Sequence, residues 1–343
     1  MATEARALAE LIAKLEPALR DAFRAAMQDL RDGIDRQGLI AALSRGDIDA
    51  AIRALNIEPA VFNTYLTAHI SGFSQAGQLF ASLIPTASAL ASTFRFDMAN
   101  PRADRRIREL AGDRIAGYTQ EQTETARRVI SEGYSRGDGP QNIAVEVAGR
   151  VDRATGRRLG GIVGLSDPQA GYVQSMRERL LSGDPRQMRK VLAGMSLRDK
   201  RFDRAIVKAI KEGRAVPRAA VEKMAARYAD RLLRRRAEDI ARTETAQAVM
   251  GARAESYRQA IDKEGLATDA ITKVWVHSGA ADDDARFQHM LMNGEKVVGL
   301  ETYFRLPDGT LMQHAHDPAG GARHTVNCRC DTLFEIDFTR GVL

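Results

Sequence analysis

One stretch constrains this chain more than any other. From Pro217 to about Ile261, Val221, Met224, Tyr228, Leu232 and Ile240 recur with near-helical spacing. A helix of that length needs a mostly helical surrounding, and the composition agrees: alanine and arginine are abundant and aromatics are few. Arg231, Arg234, Arg235 and Arg236 load the helix with positive charge. Neighbours on a helix lie about 100° apart, so the adjacent arginines cannot share one face.

Helical signals continue upstream. Ala2 to Leu30 is amphipathic and breaks at Asp32-Gly33, with charges throughout rather than the short apolar core of a secretory signal. Asp47 or Asp49 caps a short helix through Leu55. Thr119, with Gln122 three residues on, reads as a capping box opening a helix to Tyr134. A turn at Gly137-Asp138-Gly139-Pro140 leads to a helix through about Arg153, and residues 155–166, with four glycines, read as a loop. Asp167-Pro168 opens a helix through Leu181.

After Gly265 the pattern changes. Residues 271–277 read as a strand holding Trp275, and Asp282 or Asp283 caps a short helix to about Met292. Residues 295–304 read as a strand, followed by a turn at Pro307-Asp308-Gly309, a loop over 314–327 and a last alternating strand over 331–338. Trp275, Phe287, Tyr303, Phe304 and Phe334 are the expected core. The expected fold is a mainly α N-terminal and middle region with long helices, followed by a small α+β C-terminal domain. Its regions are 1–100, 101–262 and 263–343.

Charge divides the same way. The three regions 1–100, 101–260 and 261–343 carry nets of −2, +13 and −5 within the overall +6. A basic middle suits either a solvated arginine-rich surface or a polyanion such as nucleic acid. Without interleaved aromatics, DNA contact would be to phosphates and independent of sequence. Arg127, Arg128, Arg157, Arg158, Arg231, Arg234, Arg235 and Arg236 are the candidate phosphate contacts. Residues 59–94 hold no charged side chain apart from His69, yet are too polar and broken for a membrane span. They read as a buried helical hairpin turning near Ile84-Pro85-Thr86, or as a surface for another protein.

Both cysteines fall in His324-Thr-Val-Asn-Cys328-Arg-Cys330. Two cysteines make no disulfide framework, and a reducing compartment leaves the thiols free for metal. His324, Cys328 and Cys330 can supply three ligands to a tetrahedral ion such as zinc, with His289 as fourth and His314 and His316 as competitors. The other reading is reduced cysteines packed in a loop. Asp284, Arg286 and His289 form a second constellation, suited to a phosphate or to acid–base work. Arg242, Thr243 and Glu244 form a third on the long helix, where Glu244 could meet Arg286 or orient a histidine. Walker, dinucleotide, nucleophile-elbow and H-E-x-x-H motifs are absent.

In order, Ala241-Arg242-Thr243-Glu244, Lys273-Val-Trp275, Asp284-x-Arg286-x-x-His289 with Gly294, and Asn327-Cys-Arg-Cys330 resemble the phage Mu F-like head morphogenesis family, minor head proteins of tailed phages. Phe96-Asp-Met-Ala-Asn100-Pro101 and the helical pair over 119–148 look like the helical part of such proteins. The resemblance covers about 96–335 and is strongest over 238–332. Members often carry His-Pro directly before Asn-Cys-Arg-Cys; here Thr325-Val326 intervene, which leaves the identity of the histidine ligand open. The resemblance implies a few-copy component of the virion interior, made in the host cytoplasm. It would contact the portal or major capsid protein and packaged double-stranded DNA, with metal bound and no assigned enzymatic activity. The rival reading is a metal-dependent hydrolase or toxin-like transferase using Asp284, His289 and Glu244.

Overall fold

A computed structural model describes residues 2–84, 94–152, 154–277, 286–337 and 339–340. The first helices are α1 (Ala2–Asp32), α2 (Arg36–Ser44), α3 (Ile48–Arg53), α4 (Asn63–Leu83), α5 (Pro101–Ser135) and α6 (Pro140–Ala148). A small antiparallel pair follows, β1 (Arg150–Val151) and β2 (Arg158–Leu159). Next come α7 (Asp167–Leu181), α8 (Pro185–Gly194), α9 (Asp203–Glu212) and the 47-residue α10 (Arg218–Glu264). The C-terminal part holds β3 (Ile271–Val276), α11 (Phe287–Leu291), β4 (Lys296–Val298), β5 (Phe304–Arg305), β6 (Leu311–Met312), α12 (Gly321–Thr325) and β7 (Asp331–Ile336). The fold is therefore mainly helical with a small α+β C-terminal region, as the sequence predicts. Among the described residues no helix is long and apolar enough to cross a membrane.

The compact units do not follow the three consecutive regions. One is built from 1–21, 65–112 and 238–343, the other from 22–64 and 113–237. Long helices are the reason: α1, α5 and α10 each contribute residues to both.

In the second unit, Phe23 meets Tyr118 edge-on and Phe62 stacks on the same ring. Thr119 is not a cap. It lies inside α5, its Oγ1 donating to the Ile115 and Ala116 carbonyls, a back-bond that hydroxyls make as readily as a cap. Gln122 instead holds the glycine loop: Nε2 donates to Leu165 O at 2.8 Å and Oε1 accepts from Gly164 N at 2.6 Å. α6 stops at Ala148 rather than near Arg153, because Gly149 has φ +73° and a Cβ there would sit 2.4 Å from Leu159 O. α7 has the predicted bounds, with a Ser166–Gln169 capping box. α8 and α9 are additions to the sequence reading, although Asp184 and Pro185 carry a start signal.

In the first unit, α4 packs closely on α10. Ser256 Oγ donates to Gly77 O, and a Cβ on Gly77 would fall 2.3 Å from the Phe96 ring. α4 is the first arm of the expected hairpin; the turn at Pro85-Thr86 and the second arm lie largely outside the described residues. The main sheet is antiparallel in the order β4-β3-β7, with Trp275 opposite Thr332 and Val276 opposite Asp331. Only Lys296–Val298 of the expected 295–304 strand is regular there, since the chain turns at Gly299, φ +105°. Trp275, Phe304 and Phe334 are buried, whereas Phe287 and Tyr303 are 70% and 47% exposed and leave the expected core.

Lys273 is buried on β3 beside Trp275. Its Nζ donates to the carbonyls of Leu300, Thr302 and Gln313 at 2.9, 2.5 and 2.8 Å, using all three of its donors. Burial lowers its pKa to about 8. These bonds gather the loop after β4 and the segment after β6 onto one strand. Lys273→Met, of similar length, strands three acceptors, and chemical denaturation is expected to show a loss of about 2–4 kcal/mol.

Candidate metal centre

Three ligand atoms converge in the C-terminal part. His289 Nδ1 lies 3.4 Å from Cys328 Sγ and 3.5 Å from Cys330 Sγ. All three residues are buried, their ligand atoms lie within 4.8 Å of one another, and together they could hold a metal ion. His289 comes from the short α11. The Trp275 ring meets the imidazole edge-on at 5.4 Å and fixes its plane.

The cysteine segment is fastened at both ends. Arg286, which precedes α11, donates Nε to Arg323 O and Nη2 to Val326 O, each at 2.6 Å. Asn327 has φ +55°, a left-handed conformation that asparagine tolerates. Its backbone N–H donates to Thr243 Oγ1, its Oδ1 accepts from Arg242 Nη1 and its Nδ2 donates to Asp239 Oδ1. Asn327 therefore anchors the Cys-x-Cys turn to α10 through Arg242 and Thr243, which the sequence singles out, and through Asp239, which it does not. Glu244 is buried on the same helix, and burial pushes its carboxyl well above the ordinary range. The expected Glu244–Arg286 pairing is not formed, because the Arg286 guanidinium is directed to the two carbonyls. Asp284 lies outside the described residues.

His324 takes a different place from the one expected of it. It is not on the thiols. Its ring stacks on His289 at 5.3 Å, with Nδ1 3.1 Å from His289 Nε2 and Nε2 2.9 Å from Asp308 Oδ2. The chemistry of the chain of contacts fixes the protons. An ionised Asp308 only accepts, so His324 carries its proton on Nε2 and offers a lone pair at Nδ1. His289 then carries its proton on Nε2 and turns a lone pair at Nδ1 toward the sulfurs. That is the tautomer a metal ligand needs, set by outer partners. The Thr310 backbone N–H, and then Thr310 Oγ1 and His324, hold Asp308 below the usual carboxylate range.

A hydrogen bond between the two thiols lowers the Cys328 pKa, and the same bond together with burial raises Cys330. His314 does not compete as a ligand. Nδ1 meets Ala315 O at 2.7 Å, Nε2 meets Arg106, and burial followed by Arg106 lowers its pKa to about 4. His316 Nε2 lies 2.9 Å from Cys330 O, so it supports the turn from its backbone. His316, read from the sequence as a competing ligand, is thus a support, and Asp308 escaped the sequence reading of the site. Asp308 showed only as a turn residue, and no spacing links it to His324.

The candidate phosphate contacts scatter. Arg158 and Arg236 are buried and are corrections to the sequence reading. Arg158 Nη2 donates to Ile34 O, while Arg236 pairs with Glu121, donates to Gly164 O and lies over the Phe23 and Tyr118 rings. Arg128 is divided between Asp167, Glu132 and Gln174, and Arg127 pairs with Asp49. Arg231 donates to the Leu197 and Arg198 carbonyls. Arg157, Arg234 and Arg235 are exposed.

No family model, curated protein or solved structure matches this chain.

Cobalt or zinc titration separates ligands from supports. His289→Ala and Cys328→Ser are expected to abolish stoichiometric binding. Asp308→Asn and His324→Ala are expected to retain it with affinity about 10–100-fold weaker. Equal loss in all four would put His324 on the metal.

Glu244 adds a pH signature. Between the ordinary carboxylate value of 4.5 and its raised folded value, the unfolded chain has lost a proton that the folded chain keeps. Stability therefore falls as pH rises through that window, by up to about 1.4 kcal/mol per pH unit. Denaturation of Glu244→Gln across the same window is expected to show a flatter profile.

Proposed function

We propose that this chain is a minor head protein of a tailed phage. It works inside the head, linking the portal or inner capsid to packaged double-stranded DNA, and its Cys/His centre binds zinc. The observation that carries this reading is convergence. Arg242, Thr243, Trp275, Arg286, His289, Asn327, Cys328 and Cys330, the residues of the family resemblance, lie far apart in sequence yet contact one another around one centre. A chance assortment of motif letters would have no reason to share hydrogen bonds.

Zinc suits the donor set. Thiolate and imidazole ligands sit about 2.0–2.3 Å from a tetrahedral zinc, which places them roughly 3.5 Å apart. The sulfur–nitrogen separations of 3.4 and 3.5 Å match that spacing. A hydrolase or transferase would need His289 free to move a proton. Here its Nδ1 faces the thiols and its Nε2 meets His324, so a structural role is favoured. The uncharged segment 59–94 is the proposed meeting place with the portal or major capsid protein.

Two measurements test the reading. Heads purified from the phage or prophage encoding the chain are expected to contain it at low copy, cross-linked to portal or capsid protein. Its absence from complete heads would sink the proposal. Elemental analysis is expected to find about one zinc per chain and none after Cys328→Ser with Cys330→Ser. Well-folded wild-type protein without zinc would remove the metal part alone.

A further inference from the structure

A groove of about 690 Å³ opens in the second unit, among β1, β2, the turn at Lys200–Phe202 and the N-terminal half of α10. Its cations are Arg150, Arg201, Lys223, Arg227, Arg231 and Arg234. At its base lies one buried carboxylate, Asp199, within 2.7 Å of Arg201 and 3.4 Å of both Arg227 and Arg231. One anion thus gathers three guanidiniums that would otherwise repel one another, and it cannot neutralise them all. Arg201 and Arg227 remain largely exposed, with N–H donors left for a ligand.

The rest of the lining carries three cations and three acids, Asp152, Glu222 and Asp230, so the groove as a whole keeps an excess of two positive charges. Arg150, Lys223 and Arg234 are exposed and make no ion pair with a described residue. Asp230 is engaged elsewhere, with Arg31 and the Gly160 N–H, and Glu222 with Arg177. The Arg227 guanidinium also lies over the Phe202 ring, which stiffens it in place. Fixed, forked, partly unsatisfied guanidiniums around a cleft are the chemistry of phosphate recognition.

We infer that this groove, rather than the arginine run of α10 as a whole, is where the chain grips the phosphodiester backbone of duplex DNA. The inference deepens the DNA part of the proposed function and rests on that part only. Of the eight arginines singled out from sequence, it retains Arg231 and Arg234 and replaces the others with Arg150, Arg201, Lys223 and Arg227. Contacts of this kind are independent of sequence and weaken with salt.

The test is fluorescence anisotropy of the full chain with a labelled duplex of about 30 base pairs, over a range of salt. The groove variant is Arg150→Glu, Lys223→Glu, Arg234→Glu. The control is Arg157→Glu, Arg214→Glu, Arg235→Glu, which reverses three exposed charges away from the groove. A second groove variant with Gln at the same three positions guards against misfolding, checked by thermal melts.

The groove variant is expected to bind at least about tenfold more weakly near 100 mM salt, with a salt slope smaller by about 2–3. The control should lose no more than about threefold. Equal losses in both would overturn the inference in favour of a diffuse basic surface. So would an unaffected groove variant, or wild-type protein that binds inorganic tripolyphosphate but no duplex. None of these outcomes bears on whether the chain resides in heads, which the particle analysis decides separately.

Discussion

Arg253 carries its charge with no exposure to solvent, near the middle of the α10 segment that belongs to the first unit. Arginine does not shed its proton to escape burial, so the fold must answer the charge. Asp331 does so at 3.0 Å, and the rings of Phe80 and Phe334 lie 4.9 and 5.4 Å from the guanidinium carbon. Those partners come from β7 and α4. The contact therefore ties helix, helix and sheet together, and it fixes where β7 begins. Cys330 is the residue before Asp331, so the sulfur positions inherit that constraint.

The metal centre is held by the same logic. Short elements carry it: α11 has five residues, and α12 five. Neither could orient a ligand by its own stability. Orientation comes from long-range hydrogen bonds, those of Asn327 to α10 and of Arg286 to the carbonyls ahead of the cysteines. The Asp308–His324–His289 chain adds direction, because each acceptor decides which nitrogen of the next ring holds the proton. Removing the outermost member leaves the sulfurs in place yet frees the imidazole to present the wrong nitrogen.

Much of this was readable beforehand because it is local. The α7 bounds, the long helix, β3 and β7 follow from periodicity, caps and β-branched runs within a few residues. What periodicity could not show depends on partners distant in sequence. Thr119 and Gln122 spell a capping box, but the residues before them continue the helix and Gln122 is taken by the glycine loop. Phe287 looks like core until α11 is placed and the ring faces outward. His324 looks like the partner of the cysteines because it is four residues away. His289 takes that role from 39 residues away, because α11 and the Cys-x-Cys turn are both held against Trp275.

The basic middle of the chain shows why net charge is a poor guide to a binding surface. Two of its most conspicuous arginines, Arg158 and Arg236, are buried and serve the fold. A buried guanidinium can bridge carbonyls, rings and a carboxylate at once, which a helix-rich protein with few aromatics uses to join its elements. Among the cations left for solvent are two of the three that Asp199 collects, Arg201 and Arg227, and their neighbours Arg150, Lys223 and Arg234. Asp199, kept ionised at a pKa of about 2 first by its hydrogen bond with Arg201, is an acidic residue that makes a positive site. It lowers the repulsion among three guanidiniums enough to let them stand together, and one charge cannot cancel three.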